Sequence, residues 1–327
     1  MKRLRVAFLG SGAFGLPTLR RLSAAHEVVL VVSQPDRPAG RGRALTPTPI
    51  ADWAEANLPR VPLLKPQDVN APEVTGRVHE LAGDAEAWVV IAFGQKLGRD
   101  LLNPRPASGR LPLIVNLHAS LLPRWRGAAP INAAILAGDA ETGNSVITLA
   151  DRMDAGLILG QSRRAIDPES TAGELHDLLA DDGPHLVEGV LLEHAAGSLR
   201  STVQDEALVT RAAKLSRADA WIDMARPAGA CRRRVHGLTP WPGVSVAIDG
   251  RSVKLLRVRT ELLPAGDSPG PGILVDPAEG LVACGEGTAL RIMEVQPAGG
   301  RAMGWAEFSR GRMLPKGAVV RSEVAPC

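Results

Sequence analysis

Val6-Ala7-Phe8-Leu9, followed by Gly10-Ser11-Gly12-Ala13-Phe14-Gly15 and an amphipathic run from Pro17 to Ala25, reads as strand, glycine turn, helix. Four consecutive apolar residues suit a strand buried on both faces, as parallel strands are. The same alternation continues. Val28–Val32, Ala87–Ala92, Leu113–Leu117 and Val146–Leu149 read as further buried strands. Pro17–Ala25, Pro49–Ala56, Ala71–Ala82 and Pro130–Ala137 read as helices between them, and Thr171–Ala180 and Gly183–Ala196 as two more that close the unit. Strands alternating with helices predict an α/β, doubly wound, parallel, Rossmann-like sheet domain.

The pattern changes after Leu199. A connecting segment, Arg200–Leu215, leads to short helical stretches. Short β-rich runs follow, separated by Gly and Pro: Val244–Ile248, Ser252–Val258, Gly272–Val275, Leu281–Ala283 and Ala289–Gln296. That spacing predicts a small antiparallel barrel or sandwich; the expected class is a small, OB-like β-barrel. The expected division is therefore 1–199 for the sheet domain, 200–215 for a linker and 216–327 for the barrel.

Composition narrows the function classes. With 327 residues, 45% of them hydrophobic, the chain can build two sizeable cores. No stretch approaches the ~20 apolar residues of a membrane span. The opening Met1-Lys2-Arg3-Leu4-Arg5 is charged and its apolar run too short for a signal peptide, so the mature chain is expected to begin near Met1. The three cysteines, Cys231, Cys284 and Cys327, form no Cys-x-x-Cys pair, and no His-Glu-x-x-His pattern occurs. Neither a disulfide framework nor a metal site is expected, and a reducing cytoplasm fits. Residues 201–327 carry 17 Lys/Arg against 13 Asp/Glu, a net of +4, whereas residues 1–200 carry 21 against 22. That excess suits a weak polyanion-binding surface or an ordinary solvated one.

Gly10, Gly12 and Gly15 fit G-x-G-x-x-G, with the acidic Asp36 21 positions beyond Gly15. This is the dinucleotide fingerprint in its usual context. Asp36 lies, however, inside Gln34-Pro35-Asp36-Arg37-Pro38-Ala39-Gly40-Arg41-Gly42-Arg43, a Pro/Gly/Arg loop rather than a strand end. A strand–helix turn that needs glycine for its backbone is the competing explanation.

The segment richest in chemistry is Leu113-Ile114-Val115-Asn116-Leu117-His118-Ala119-Ser120-Leu121-Leu122-Pro123. Asn116 and His118 are two apart at a strand end, so both point to one face. Open α/β sheets bind ligands beyond those ends. Asp154, in Met153-Asp154-Ala155-Gly156, follows the next strand. Taken singly, each residue reads more readily as a structural strand-end or turn residue. Together they suit acyl transfer to an amine. The Asn116 amide and a His118 imidazolium stabilise an oxyanion, and a carboxylate at Asp154 favours the imidazolium. His118 or Asp154 moves the proton. No enzyme nucleophile is needed, because the amine attacks.

The run Asn116-Leu117-His118-Ala119-Ser120-Leu121-Leu122-Pro123-Arg124-Trp125-Arg126-Gly127-Ala128-Ala129-Pro130-Ile131 resembles the central signature of the methionyl-tRNA formyltransferase family. Gln34–Arg43 resembles that family's tRNA-contacting loop. Gln204–Thr210 and Gln296–Met303 resemble its linker and its C-terminal barrel. The resemblance implies 10-formyltetrahydrofolate as formyl donor and initiator methionyl-tRNA as acceptor, for translation initiation, in a cytoplasmic monomer. It places the catalytic residues at Asn116, His118 and Asp154. The folate-binding turn falls on Ser120, Leu121, Leu122 and Pro123, with Phe93 and Gly94 in the pocket. tRNA contacts fall on Arg37, Arg41 and Arg43, and the N-terminal glycines become a turn that binds no dinucleotide. Two positions depart from the family pattern: Phe93 stands where Tyr is common, and Ala150 where an acidic residue precedes the aspartate motif. Formyltransferases for other amines, an oxidoreductase and a non-catalytic tRNA-binding protein are the competing readings.

Overall fold

The structure is a computed structural model that describes residues 2–39, 42, 44–263, 269–310 and 312–325. Its elements run β1 (Arg5–Gly10), α1 (Leu16–Ala25), β2 (Glu27–Val32), β3 (Arg37–Ala39), β4 (Ala44–Thr46), α2 (Pro49–Asn57), β5 (Leu63–Leu64), α3 (Pro72–Ala82), β6 (Ala87–Ile91), α4 (Arg99–Leu102), β7 (Leu113–His118), β8 (Arg126–Gly127), α5 (Pro130–Ala137), β9 (Glu141–Thr148), β10 (Ile158–Ala165) and α6 (Ala172–Ala195). They continue with β11 (Arg211–Ala212), α7 (Ala228–Gly237), β12 (Val244–Ile248), β13 (Arg251–Leu262), β14 (Leu274–Asp276), β15 (Leu281–Ala283), β16 (Thr288–Pro297), β17 (Met303–Gly304), α8 (Trp305–Arg310) and β18 (Val320–Ser322). No described helix is long and apolar enough to cross a membrane.

The chain groups into two compact units. The first comprises Met1–Arg126, Gly143–Arg164 and His176–Thr210, the second Gly127–Thr142, Ala165–Leu175 and Arg211–Cys327. The first is built on a seven-stranded sheet in the order β10-β9-β7-β6-β1-β2-β5. Strands β1, β2, β5, β6 and β7 are parallel, and the chain winds outward from β1 in both directions. Every residue of β6 is buried, and all but the first of β1, because helices cover both faces. The expected sheet is thus present and mostly parallel, with one correction at the strand expected over Val146–Leu149. β9 runs antiparallel to β7, from Val115 opposite Thr148 to His118 opposite Ser145. Beyond it lies β10, which the sequence reading lacked. β10 carries Arg163 and Arg164 at a half-exposed sheet edge, so it shows no buried apolar run.

The two helices expected at Thr171–Ala180 and Gly183–Ala196 are a single helix, α6, that passes through Gly183 and Pro184. Proline removes one helical N–H and normally breaks or kinks a helix. Continuity here serves packing: a Cβ at Gly183 would stand 2.7 Å from Leu117 Cδ2, so the helix lies directly on β7.

The second unit is an antiparallel sheet in the order β14-β15-β16-β13-β12-β18. An antiparallel bridge between Ile273 and Val319 joins its two edges, giving the barrel-like closure expected. Burial alternates along β12, and Val244, Val246 and Ile248 point inward with Leu255, Val258, Leu290 and Ile292. α7 places Cys231 and Val235 in that core.

Candidate active site

The chemistry-bearing residues gather at the C-terminal ends of β6 and β7, where Val90 is in register with Asn116. Asn116 is half-buried and His118 is buried at 7% exposure, both presented by β7. His118 Nε2 lies 2.9 Å from the carbonyl oxygen of Trp125. A carbonyl only accepts, so Nε2 carries a proton and Nδ1 is the nitrogen left to face the rest of the site. Nδ1 stands 3.7 Å from Asp154 Oδ2. The structure therefore brings His118 and Asp154 together, as the sequence anticipated.

Two backbone residues make this possible. Trp125 has φ +61° and Asp154 φ +54°, both in the left-handed region that costs non-glycine residues energy. The first swings a carbonyl toward the imidazole. The second turns the chain sharply after β9 so that a carboxylate faces back to β7. Gly156 tightens that turn, since a Cβ there would lie 1.7 Å from the Thr148 carbonyl oxygen.

The turn Ser120–Pro123 follows β7 directly. Ser145 on β9 holds it: Ser145 Oγ donates to the Ser120 carbonyl at 2.6 Å and accepts from the Leu122 N–H at 3.0 Å. Gln161 Nε2 donates to both the Leu122 carbonyl and Ser145 Oγ, at 2.9 and 2.8 Å. Ser120 Oγ donates to the Arg124 carbonyl at 2.6 Å. Leu122 is buried, whereas Leu121 and Pro123 are half-exposed on the same turn.

Phe93 and Gly94 follow β6 at the same end of the sheet. The Phe93 ring is buried in the core with Leu97 and Leu101, and its carbonyl accepts from Ser11 Oγ at 2.9 Å. Gly94 has φ +85°, a conformation that favours glycine.

The N-terminal glycines are explained by packing. A Cβ at Gly10 would meet the Phe8 ring at 2.6 Å and the Ile91 carbonyl at 2.9 Å, and one at Gly15 would press on Phe8 and Ile91. Asp36 is paired with Lys65 at 2.9 Å, and Lys65 also reaches Glu55 at 3.0 Å. These contacts engage the carboxylate that a ribose would need. Arg37 opens β3, which pairs antiparallel with β4; it is exposed and donates to Gln34 Oε1 at 3.0 Å. Arg41 and Arg43 lie outside the described residues. Arg37 has no contact of its own with the His118–Asp154 pair among the hydrogen bonds and ion pairs of the described residues.

A family model of formyl transferase matches residues 4–191, and one of the formyl transferase C-terminal domain matches residues 214–313. The chain is 43% identical to a methionyl-tRNA formyltransferase of Methylobacterium sp. (strain 4-46), over 96% of this chain and 98% of that one. It is 42% identical to a protein of the same name from Rhodopseudomonas palustris (strain BisB18), over 95% and 97%. The chain belongs to the methionyl-tRNA formyltransferase family. Its fold resembles that of WlaRD, a sugar 3N-formyl transferase solved with dTDP and 5-N-formyl-THF, with a TM-score of 0.65 at 12% identity over 89% of this chain and 98% of that one. It also resembles HypX from Aquifex aeolicus in complex with tetrahydrofolic acid, with a TM-score of 0.62 at 16% identity over 94% of this chain. The chain spans about half of that HypX chain, which it covers to 47%.

Sequence reasoning missed four contributors to the site's geometry: the Trp125 carbonyl, Ser145, Gln161 and Gln204. A backbone oxygen leaves no residue-type signal. Gln204 was visible only as part of a stretch read as linker, and it lies between the two family models.

Proposed function

We propose that this protein transfers the formyl group of 10-formyltetrahydrofolate to the α-amino group of methionine on initiator methionyl-tRNA, as a monomer in the cytoplasm. The observation that carries this reading is likeness along the whole chain, sheet unit and barrel alike, to enzymes of that name. The His118–Asp154 geometry supports it chemically.

The folate supplies an activated formyl amide at N10. Asn116 and His118 sit where an oxyanion develops once the amine nitrogen bonds to the formyl carbon. The Asn116 amide and a proton on His118 Nδ1 donate to that oxygen, and the Asp154 carboxylate lies beside the same nitrogen. Preorganised donors of this kind lower the barrier because no solvent must reorient. On collapse the carbon–N10 bond breaks. The proton that the amine gives up passes, through Asp154 or His118, to N10, so one proton moves and one carbon–nitrogen bond replaces another.

Ser120, Leu121, Leu122 and Pro123, with Phe93 and Gly94, are assigned to the folate pocket. Leu121 and Pro123 offer a half-exposed apolar surface suited to a flat ring, on a turn already fixed by Ser145 and Gln161. Arg37, Arg41 and Arg43 are assigned to phosphates of the acceptor tRNA. Residues 1–199 would be the catalytic domain, 200–215 a linker and 216–327 a second tRNA-contacting part.

The test is mass spectrometry of the aminoacyl product after mixing the protein with 10-formyltetrahydrofolate and charged initiator tRNA. N-formylmethionine is the expected product. Formylation of an amino-sugar nucleotide in its place would refute the assignment of the acceptor.

A further inference from the structure

The stretch after α6 does more than connect. Thr202 exchanges two backbone hydrogen bonds with Ile158, at 2.9 and 2.8 Å, which lays the chain beside the start of β10. Gln204 then turns inward and is buried at 6% exposure. Its Nε2 donates to two carbonyls, those of Asp154 at 2.7 Å and Gly156 at 2.8 Å. Its Oε1 accepts from Arg126 Nε at 2.9 Å. One side chain thus joins the Asp154 turn to the residue that follows Trp125.

Six residues later, Thr210 completes the link. Thr210 Oγ1 accepts from the Trp125 N–H at 2.9 Å, and the Thr210 carbonyl accepts from the Arg126 N–H at 3.0 Å. The peptide whose N–H is held by Thr210 belongs to the residue whose carbonyl receives His118 Nε2. Between them Glu206 accepts from Arg126 at 2.9 Å, and the guanidinium, with Arg152 beyond it, holds the Glu206 carboxyl below its ordinary range. Both left-handed residues of the centre, Trp125 and Asp154, are therefore held from one segment. Strained backbone of this kind persists only where its surroundings over-determine it.

We propose that Gln204 and Thr210 are positioning residues for formyl transfer: Gln204 sets the Asp154 turn, and Thr210 sets the carbonyl that commits His118 to protonation at Nε2. The reactive nitrogen of His118 is then Nδ1, facing Asp154. The proposal rests on the functional reading above for its kinetic test, and on geometry alone for its spectroscopic one.

Three variants decide it. Thr210→Val keeps shape and removes the acceptor for the Trp125 N–H, Thr210→Ser keeps the acceptor, and Gln204→Leu removes both donations to the Asp154 turn. In formylation of methionyl-tRNA, Thr210→Val and Gln204→Leu are expected to lower kcat at least tenfold, with KM for donor and tRNA within twofold of the parent. Thr210→Ser is expected to recover most of the loss. In ¹⁵N spectra of histidine-labelled protein, neutral His118 should carry its proton on Nε2 in the parent, and Thr210→Val should show a mixture of tautomers. Turnover within twofold of the parent in both Thr210→Val and Gln204→Leu would overturn the proposal, as would equal losses in Thr210→Val and Thr210→Ser. Should Gln204→Leu fail to fold by circular dichroism, the Thr210 pair decides alone. If the parent protein formylates no methionyl-tRNA, it is the functional reading that fails. An unchanged His118 tautomer in Thr210→Val would still overturn the role given to Thr210.

Discussion

At the scale of the residue, the centre is a histidine whose two nitrogens have separate duties. Nε2 is fixed on a carbonyl and Nδ1 faces a carboxylate. Replacing His118 with alanine removes together the donor and the proton carrier proposed at Nδ1. The expected loss in kcat is about 10²–10⁴-fold, the usual contribution of a positioned acid–base group. Binding of tRNA should survive, since no arginine assigned to it is touched. Single-turnover formylation beside a filter-binding titration separates the two, and turnover near the parent level would remove His118 from the mechanism. Asn116 and His118 were legible in sequence because strand alternation places residues two apart on one face. Asp154 was less so. Its approach depends on an antiparallel β9 and a left-handed turn, and neither leaves a mark in residue type.

At the scale of the element, α6 and β7 form one mechanical pair. Gly183 lies against Leu117, the residue between Asn116 and His118, with the Thr18 hydroxyl 3.3 Å from where a Cβ would sit. Gly183→Val overpacks that contact, at an expected cost of about 1–3 kcal/mol in folding stability. Urea unfolding would register the loss, and a fall in kcat should accompany it as β7 shifts. An unchanged urea midpoint and rate would mean that the helix does not brace the strand. Buried strands such as β1, β2, β6 and β7 were read from their apolar runs. The edge strand β10 was not, because one side of it faces solvent. Helix α6 was read as two, Thr171–Ala180 and Gly183–Ala196, since local propensity cannot register the strand beneath it.

At the scale of the whole molecule, both units carry buried neutral histidines. In the second unit His236 Nε2 accepts from the Val258 N–H at 3.1 Å, while Nδ1 lies 3.4 Å from the Pro168 carbonyl. Burial lowers its pKa from the usual 6.5, with Arg232 and Arg257 adding to the effect and Glu169 opposing it. His26 and His194 in the first unit are lowered for the same leading reason. The unfolded chain binds these protons first as pH falls through about 6.5, so stability is full above that pH and declines below it. The melting temperature should drop between pH 7.5 and 5.5, and less steeply in His236→Gln. Equal slopes would exclude His236 as a contributor. Recognition of tRNA also draws on the whole molecule. Arg41→Ala is expected to lower kcat/KM for tRNA far more than for the folate, with a shallower salt dependence, because phosphate contacts displace counterions. Equal effects on both substrates would argue against an RNA contact. The two-part organisation was legible from the change of pattern after Leu199. That change gives no sign that residues 127–142 and 165–175 group with the later unit, because such grouping is settled in space and not along the chain.

The segment from Gln204 to Thr210 bears on how such a protein can be divided and recombined. The first family model stops at residue 191, before either residue. A lineage that exchanged its later part at that seam would inherit the sheet, the histidine and the aspartate, yet leave behind the struts that aim them. If Gln204 and Thr210 position the site as proposed, an exchange point that keeps activity is expected beyond Thr210. What looks like a tether between two modules thus travels with the first as its heirloom, and the freedom to graft new recognition parts begins only where it ends.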